Sequence, residues 1–215
     1  CMSLAQVMHR SRMSRQFSCL RDGVSHLLPR DASLGRAFAL GLLSHYVLDR
    51  NAHPFVYEQQ FGIVESDSEL EDSSSQVHAV IESDLDVLML QLKRDGATVD
   101  DYPPAGEIVT TDRINRVAGV LMSYVAGRVY GIDIPAGEYG AAVANMQRLY
   151  RAIEPAAPQR RARSRWLRAW CTTTRCSTAL PIALTTELPE RTGNLGHLTW
   201  KNPFTDEVST ESFPE

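Results

Sequence analysis

From Asp31 to His53 the chain reads DASLGRAFALGLLSHYVLDRNAH, with Leu34, Phe38 and Leu42 recurring every four residues. That spacing keeps returning to one face of a 3.6-residue helix and predicts a long, buried helix. Asp31 is its expected N-cap, and its expected end is about His53, because a proline disfavours helical geometry in the residue before it. The same period recurs downstream. Val77, Ile81, Leu85 and Leu88 predict a second helix, with Lys93 and Arg94 near its end and Gly96 as its stop. Ile114, Val117, Leu121 and Tyr124 form the inward stripe of a third, over Asp112 to Arg128. Val143, Met146, Tyr150 and Ile153 do the same for a fourth, over about Gly137 to Ile153. Strand alternation is hard to find, so the expected fold is all-α, a multi-helix bundle. The acidic, serine-rich ESDSELEDSSS reads as a loop, and Pro155 and Pro158 break the helical pattern. Pro181, Pro189, Gly193, Gly196 and Pro203 predict an irregular tail over residues 180–215, wandering over the surface.

Composition limits what such a bundle can be. With 215 residues, 43% of them hydrophobic, and no internal shift in composition, residues 1–215 are expected to form a single domain around one core. A net charge of -4 gives no bulk electrostatic support to a stable nucleic acid partner. No apolar run reaches the ~18 residues of a membrane span. Cys1, Cys19, Cys171 and Cys176 are irregularly spaced and read as free thiols, CTTTRC included, since no second pair accompanies it. The opening CMSLAQ is not a translation start, so a processed, tagged or truncated chain is expected. The residues present carry no secretory pattern. They read as cytoplasmic, or as secreted if an upstream segment carried a signal.

Within the first helix, His45, Asp49 and His53 follow one another at four-residue steps and fall within ~80° of arc. Eight residues rise ~12 Å, too far for both histidines to grip one zinc at ~2.0 Å. Two ions, with Asp49 between them as a bridging carboxylate, fit that spacing better. In the second helix, HAVIESDLD places His78 and Glu82 at i, i+4, where both can approach one metal. Asp86 continues that stripe as a candidate to orient a ligating imidazole from behind.

HYVLDRNAHPF followed by HAVIESDLD resembles the zinc-dependent phospholipase C family of bacteria, which shares its all-helical fold with single-strand nucleases of the S1/P1 type. QVMHRSRM resembles the segment that carries an earlier histidine in that family, and this brings His9 into the site. HLTWKNPFTDEVSTESF is similar to the end of uncharacterised bacterial members. The resemblance implies two or three zinc ions. His9, His45 and Asp49 would hold one, His53, His78 and Glu82 a second, and Asp49 would bridge to a third. It implies hydrolysis of a phosphodiester by a metal-activated water, with phospholipid headgroups preferred and single-strand nucleic acid second. Family members carry further zinc ligands nearer the mature N-terminus. The departure from that pattern at Cys1 is expected to reflect a missing N-terminal portion.

Other readings stand beside this one. A non-catalytic helical scaffold or interaction protein could keep part of the metal site for structure. His26 and His197 read as ordinary core or surface histidines. QRRARSRWLRAW sets Arg160, Arg161, Arg163, Arg165 and Arg168 around Trp166 and Trp170. A peripheral contact with an anionic membrane through Arg160 to Trp170 is one reading of it. A surface helix whose tryptophans pack on the bundle is the favoured one, since tryptophan is usually largely buried. No GxSxG elbow, Walker loop or CxxC pair competes.

Overall fold

The computed structural model describes residues 2–99, 101–153 and 192–214, and over these the chain is mostly helical. The helices in chain order are α1 (Met2–Arg10), α2 (Met13–Ser25), α3 (Pro29–Ser66), α4 (Ser74–Lys93), α5 (Pro104–Glu107), α6 (Asp112–Val125) and α7 (Gly137–Ile153). A short antiparallel hairpin follows, β1 (Trp200–Lys201) against β2 (Val208–Ser209), in the register Trp200 to Ser209. The segment Arg160 to Trp170, Cys1, Cys171, Cys176 and the start of the tail lie outside the described residues. No helix among the described residues is long and apolar enough to cross a membrane.

Contacts divide the chain into two compact units, Cys1–Asp49 with Ile108–Leu149, and Arg50–Glu107 with Tyr150–Glu215. The first unit is organised by α2 and α6, where Leu20, Val24, Val117, Leu121, Val125 and Val129 form a buried cluster. Leu34, Phe38 and Leu42, the predicted stripe of α3, pack against this cluster while remaining only partly buried. A second cluster sets α1 in place. Leu4 and Met8, one turn apart, bury against Ala126, with Leu42, Met122 and Tyr130 around them.

The second unit is built on the later half of α3 and on α4. Phe55 and Val56 bury against Leu85 and Leu88, and Ile81, Trp200 and Phe213 close over them. Of the tail, residues 192–214 are mostly exposed with little regular structure beyond the hairpin, and Trp200 and Phe213 anchor them on this cluster. Buried Asn194 donates to the carbonyls of Leu198 and Glu211 and accepts from the Leu198 N–H, and Phe213 N–H donates to Gly193 O. These bonds hold the two ends of the segment together around the hairpin.

Three local expectations give way to longer-range forces. First, α3 does not stop at His53 but continues through Pro54 to Ser66. Proline inside a helix costs about 3 kcal/mol. Full burial of an apolar side chain contributes about 1.5–3 kcal/mol, and the turn after Pro54 buries both Phe55 and Val56, 4% and 1% exposed. Second, Asp31 is not the N-cap of α3. Pro29 opens the helix, as suits a residue without an N–H, and Asp31 is buried one turn in, accepting from Arg113 Nε at 2.8 Å. Third, the acidic loop is largely helical, with α3 running to Ser66 and a 3-10 segment over Ser68–Ser73. Asp67 caps that segment by accepting from Glu69 N–H at 3.0 Å.

The other helices meet the periodicity more closely. α4 ends at Lys93 and Gly96 follows at φ 81°. The third helix starts at Asp112 as expected, capped by Thr111, but gives way after Val125 to a π-helical turn over Ala126–Tyr130 that ends at Gly131, φ 70°. α7 has the expected bounds, although Met146 faces solvent rather than the core.

Candidate metal centres

Two groups of metal-ligating side chains converge in the structure, one in each unit: His9, His45 and Asp49, and His53, His78 and Glu82. Within each group the candidate ligand atoms lie within 4.8 Å of one another. Each offers two imidazoles and one carboxylate.

The first group joins α1 to α3. Packing of Leu4 and Met8 fixes α1, and His9, the next residue, is carried to the exposed side where α3 presents His45. Nε2 of His9 lies 3.1 Å from Nε2 of His45. Asp49 Oδ2 lies 3.4 Å from His45 Nε2 and 3.6 Å from His9 Nε2. His9 Nδ1 faces the Ala5 carbonyl oxygen at 2.8 Å, and a carbonyl can only accept. The ring proton of neutral His9 is therefore on Nδ1, and Nε2 turns a lone pair toward its two neighbours. Lone pairs and a carboxylate oxygen at such separations repel unless a proton or a cation lies among them.

The second group joins the later part of α3 to α4. Glu82 Oε1 lies 3.3 Å from His53 Nε2 and 3.2 Å from His78 Nε2. The two imidazoles hold the Glu82 carboxyl down to about 2, through hydrogen bonds first from His53 and then from His78, against the opposing effect of its partial burial. The carboxylate form, the one that ligates metals, is thus the form these neighbours favour. Behind the site, His78 Nδ1 lies 2.8 Å from Oε1 of buried Gln60, whose Nε2 donates to Ser74 Oγ at 2.5 Å. Tyr57 packs its ring 4.8 Å from that of His78 and 5.6 Å from that of His53, and carries exposed Phe61 and Phe204 beside it.

Both donor sets could hold a metal ion. A tetrahedral ion with arms of about 2.0–2.1 Å sets its ligand atoms about 3.3–3.4 Å apart, and the separations above run from 3.1 to 3.6 Å. Among the described residues, each group offers three ligand atoms that could hold a metal ion. The sites are also reachable, with the side chains of His9 and His45 each half exposed and Glu82 nearly so.

All six candidate ligands named from the sequence therefore fall into these two groups. Asp86 does not join an imidazole; its carboxyl is pushed up by desolvation and then by the charge of Glu82. The partner behind His78 is Gln60, which the sequence reading passed over because an isolated glutamine in a helix carries no distinctive spacing. Of the two lone histidines, His26 caps the end of α2 and stands edge-on to Tyr124, and His197 faces the Thr210 carbonyl. Compared with known proteins, the chain matches no family model, no curated protein and no solved structure.

Proposed function

We propose that the chain is a zinc-dependent hydrolase of phosphodiester bonds, with His9, His45 and Asp49 holding one ion and His53, His78 and Glu82 another. The observation that carries this reading is the convergence of the ligand atoms: each group brings two imidazole nitrogens within 3.2 to 3.6 Å of one carboxylate oxygen, close to the edge length of a zinc tetrahedron. Zinc bound there would supply positive charge to a phosphate and acidify water near neutral pH.

The protein's own groups have the complementary tasks. The Ala5 carbonyl orients His9, and Gln60 lies behind His78, so that both rings offer Nε2 rather than Nδ1. Asp49 and Glu82 place one negative charge at each group, which leaves a divalent cation with net positive charge to attract a phosphate. The phospholipase C-like helical fold and the preference for phospholipid headgroups rest on the sequence resemblance. The apolar shelf of Phe61 and Phe204 next to the second group supports a substrate with an apolar portion.

The test is elemental analysis of the purified chain, followed by hydrolysis assays with phosphatidylcholine, sphingomyelin and single-stranded DNA. Two or more zinc equivalents, with hydrolysis of one of these abolished in Asp49→Asn, are expected. A chain that binds no zinc, or binds it and hydrolyses none of the three, would overturn the proposal.

A further inference from the structure

We infer that Gln60 is a positioning residue for the second metal centre: its buried side-chain amide fixes the ring of His78 so that Nε2, and not Nδ1, is the metal-facing atom. The inference rests on the reading of His53, His78 and Glu82 as metal ligands. Its own evidence is a hydrogen-bonded chain that runs from Ser74 through Gln60 to His78.

Helix geometry explains why these residues meet. Gln60 follows His53 by seven residues on α3, two turns to within about 20°, so the ligand and the amide share one stripe. On α4, Ser74, His78 and Glu82 are spaced by four and share another. Facing each other, the two stripes alternate donor and acceptor. Ser74 Oγ accepts from Gln60 Nε2 at 2.5 Å, and Gln60 Oε1 lies 2.8 Å from His78 Nδ1.

Burial gives the arrangement its force. Gln60 is 6% exposed, so each end of its amide must find a partner within the protein. With the amide nitrogen committed to Ser74, the oxygen faces His78, and an amide oxygen can only accept. Nδ1 must then carry a proton, which keeps Nε2 as the atom turned toward Glu82 Oε1, 3.2 Å away, to which it donates in the metal-free protein and where a metal ion would take the place of that proton. A hydrogen bond of this kind fixes both the tautomer and the rotation of a ligating imidazole, and its loss typically weakens metal binding about 10- to 100-fold.

The test uses the full chain carrying His45→Ala, so that only the second centre titrates with zinc. Two measurements are made: the zinc dissociation constant, and the ¹⁵N chemical shifts of His78 in the zinc-free protein, which report whether Nδ1 carries a proton. Gln60→Leu, close in size but without an acceptor, is expected to weaken zinc binding about 10- to 100-fold and to remove the hydrogen-bonded Nδ1–H of His78. Gln60→Glu, an acceptor of the same shape, is expected to retain zinc binding and the Nδ1–H form. Unchanged affinity and unchanged shifts in Gln60→Leu would overturn the inference, as would loss of zinc binding in Gln60→Glu, which also decides the matter if Gln60→Leu does not fold. If the unsubstituted second centre binds no zinc, the metal reading fails, while the Nδ1–H of His78 still tests the role of Gln60 by itself.

Discussion

Nε2 of His9 and Nε2 of His45 stand 3.1 Å apart although 36 residues separate them in the chain. Neither atom has a reason to approach the other in the absence of a shared proton or cation, and Asp49 supplies the negative charge that would favour either. His45→Ala is expected to lower zinc stoichiometry by one equivalent and to leave the group in the other unit able to bind. Zinc at about 100 times its dissociation constant should stabilise the wild-type chain by about 2.7 kcal/mol per site, and the variant by one site's worth less. Calorimetric melts with and without a chelator check both expectations.

The metal-free protein should show an acid dependence from Glu82. Its carboxyl lies at about 2 when folded, against an ordinary value of 4.5. A depressed carboxyl stabilises the fold above its ordinary value, and the contribution is lost as pH falls through about 2. Wild type and Glu82→Gln should therefore differ above pH 4.5 and converge near pH 2 in urea midpoints taken with chelator. Since the side chain is 46% exposed, the difference should be small, under about 1 kcal/mol.

Gly119 has no room for a side chain. A Cβ there would lie 1.9 Å from the Ala136 carbonyl oxygen, and a backbone atom cannot swing aside as a side-chain tip can. Gly119→Ala should destabilise the chain by about 1–3 kcal/mol or more, read from denaturant unfolding, despite the better helix propensity of alanine. Gly41 on α3 meets nothing within 4 Å, so Gly41→Ala is the control and should be neutral or stabilising.

The pair of Asp31 and Arg113 ties the start of α3 to α6. Asp31 is 6% exposed and accepts from Arg113 Nε at 2.8 Å, while Arg113 also donates to the Arg30 carbonyl. Asp31→Ala should cost about 1.5–3 kcal/mol, the range for a hydrogen bond to a charged group. In an Arg113→Ala background the same change should cost much less, a coupling that a double-mutant cycle in urea measures.

Periodicity made the helices legible because it is a local property: α7 has the bounds its stripe predicts, and α4 ends within a few residues of its expected stop. Two of the three residues of the second group were equally legible, since His78 and Glu82 are one turn apart on one helix. Where expectations failed, the deciding residues were distant. Pro54 sits inside a helix because Phe55 and Val56 find a core made by α4. Asp31 gives up capping because Arg113, 82 residues away, holds its carboxylate.

By itself, then, the sequence determined which residues could share a helical face, and so which ligands could act in pairs. It could not bring His9 to His45 from spacing alone, because that meeting depends on Leu4 and Met8 burying against Ala126. Nor could it pick Gln60 from the other glutamines, because what distinguishes that amide is its burial against α4. Backbone periodicity is set within a few residues, whereas a ligand set and the groups that orient it are fixed only when packed helices bring remote side chains to a few ångströms of one another.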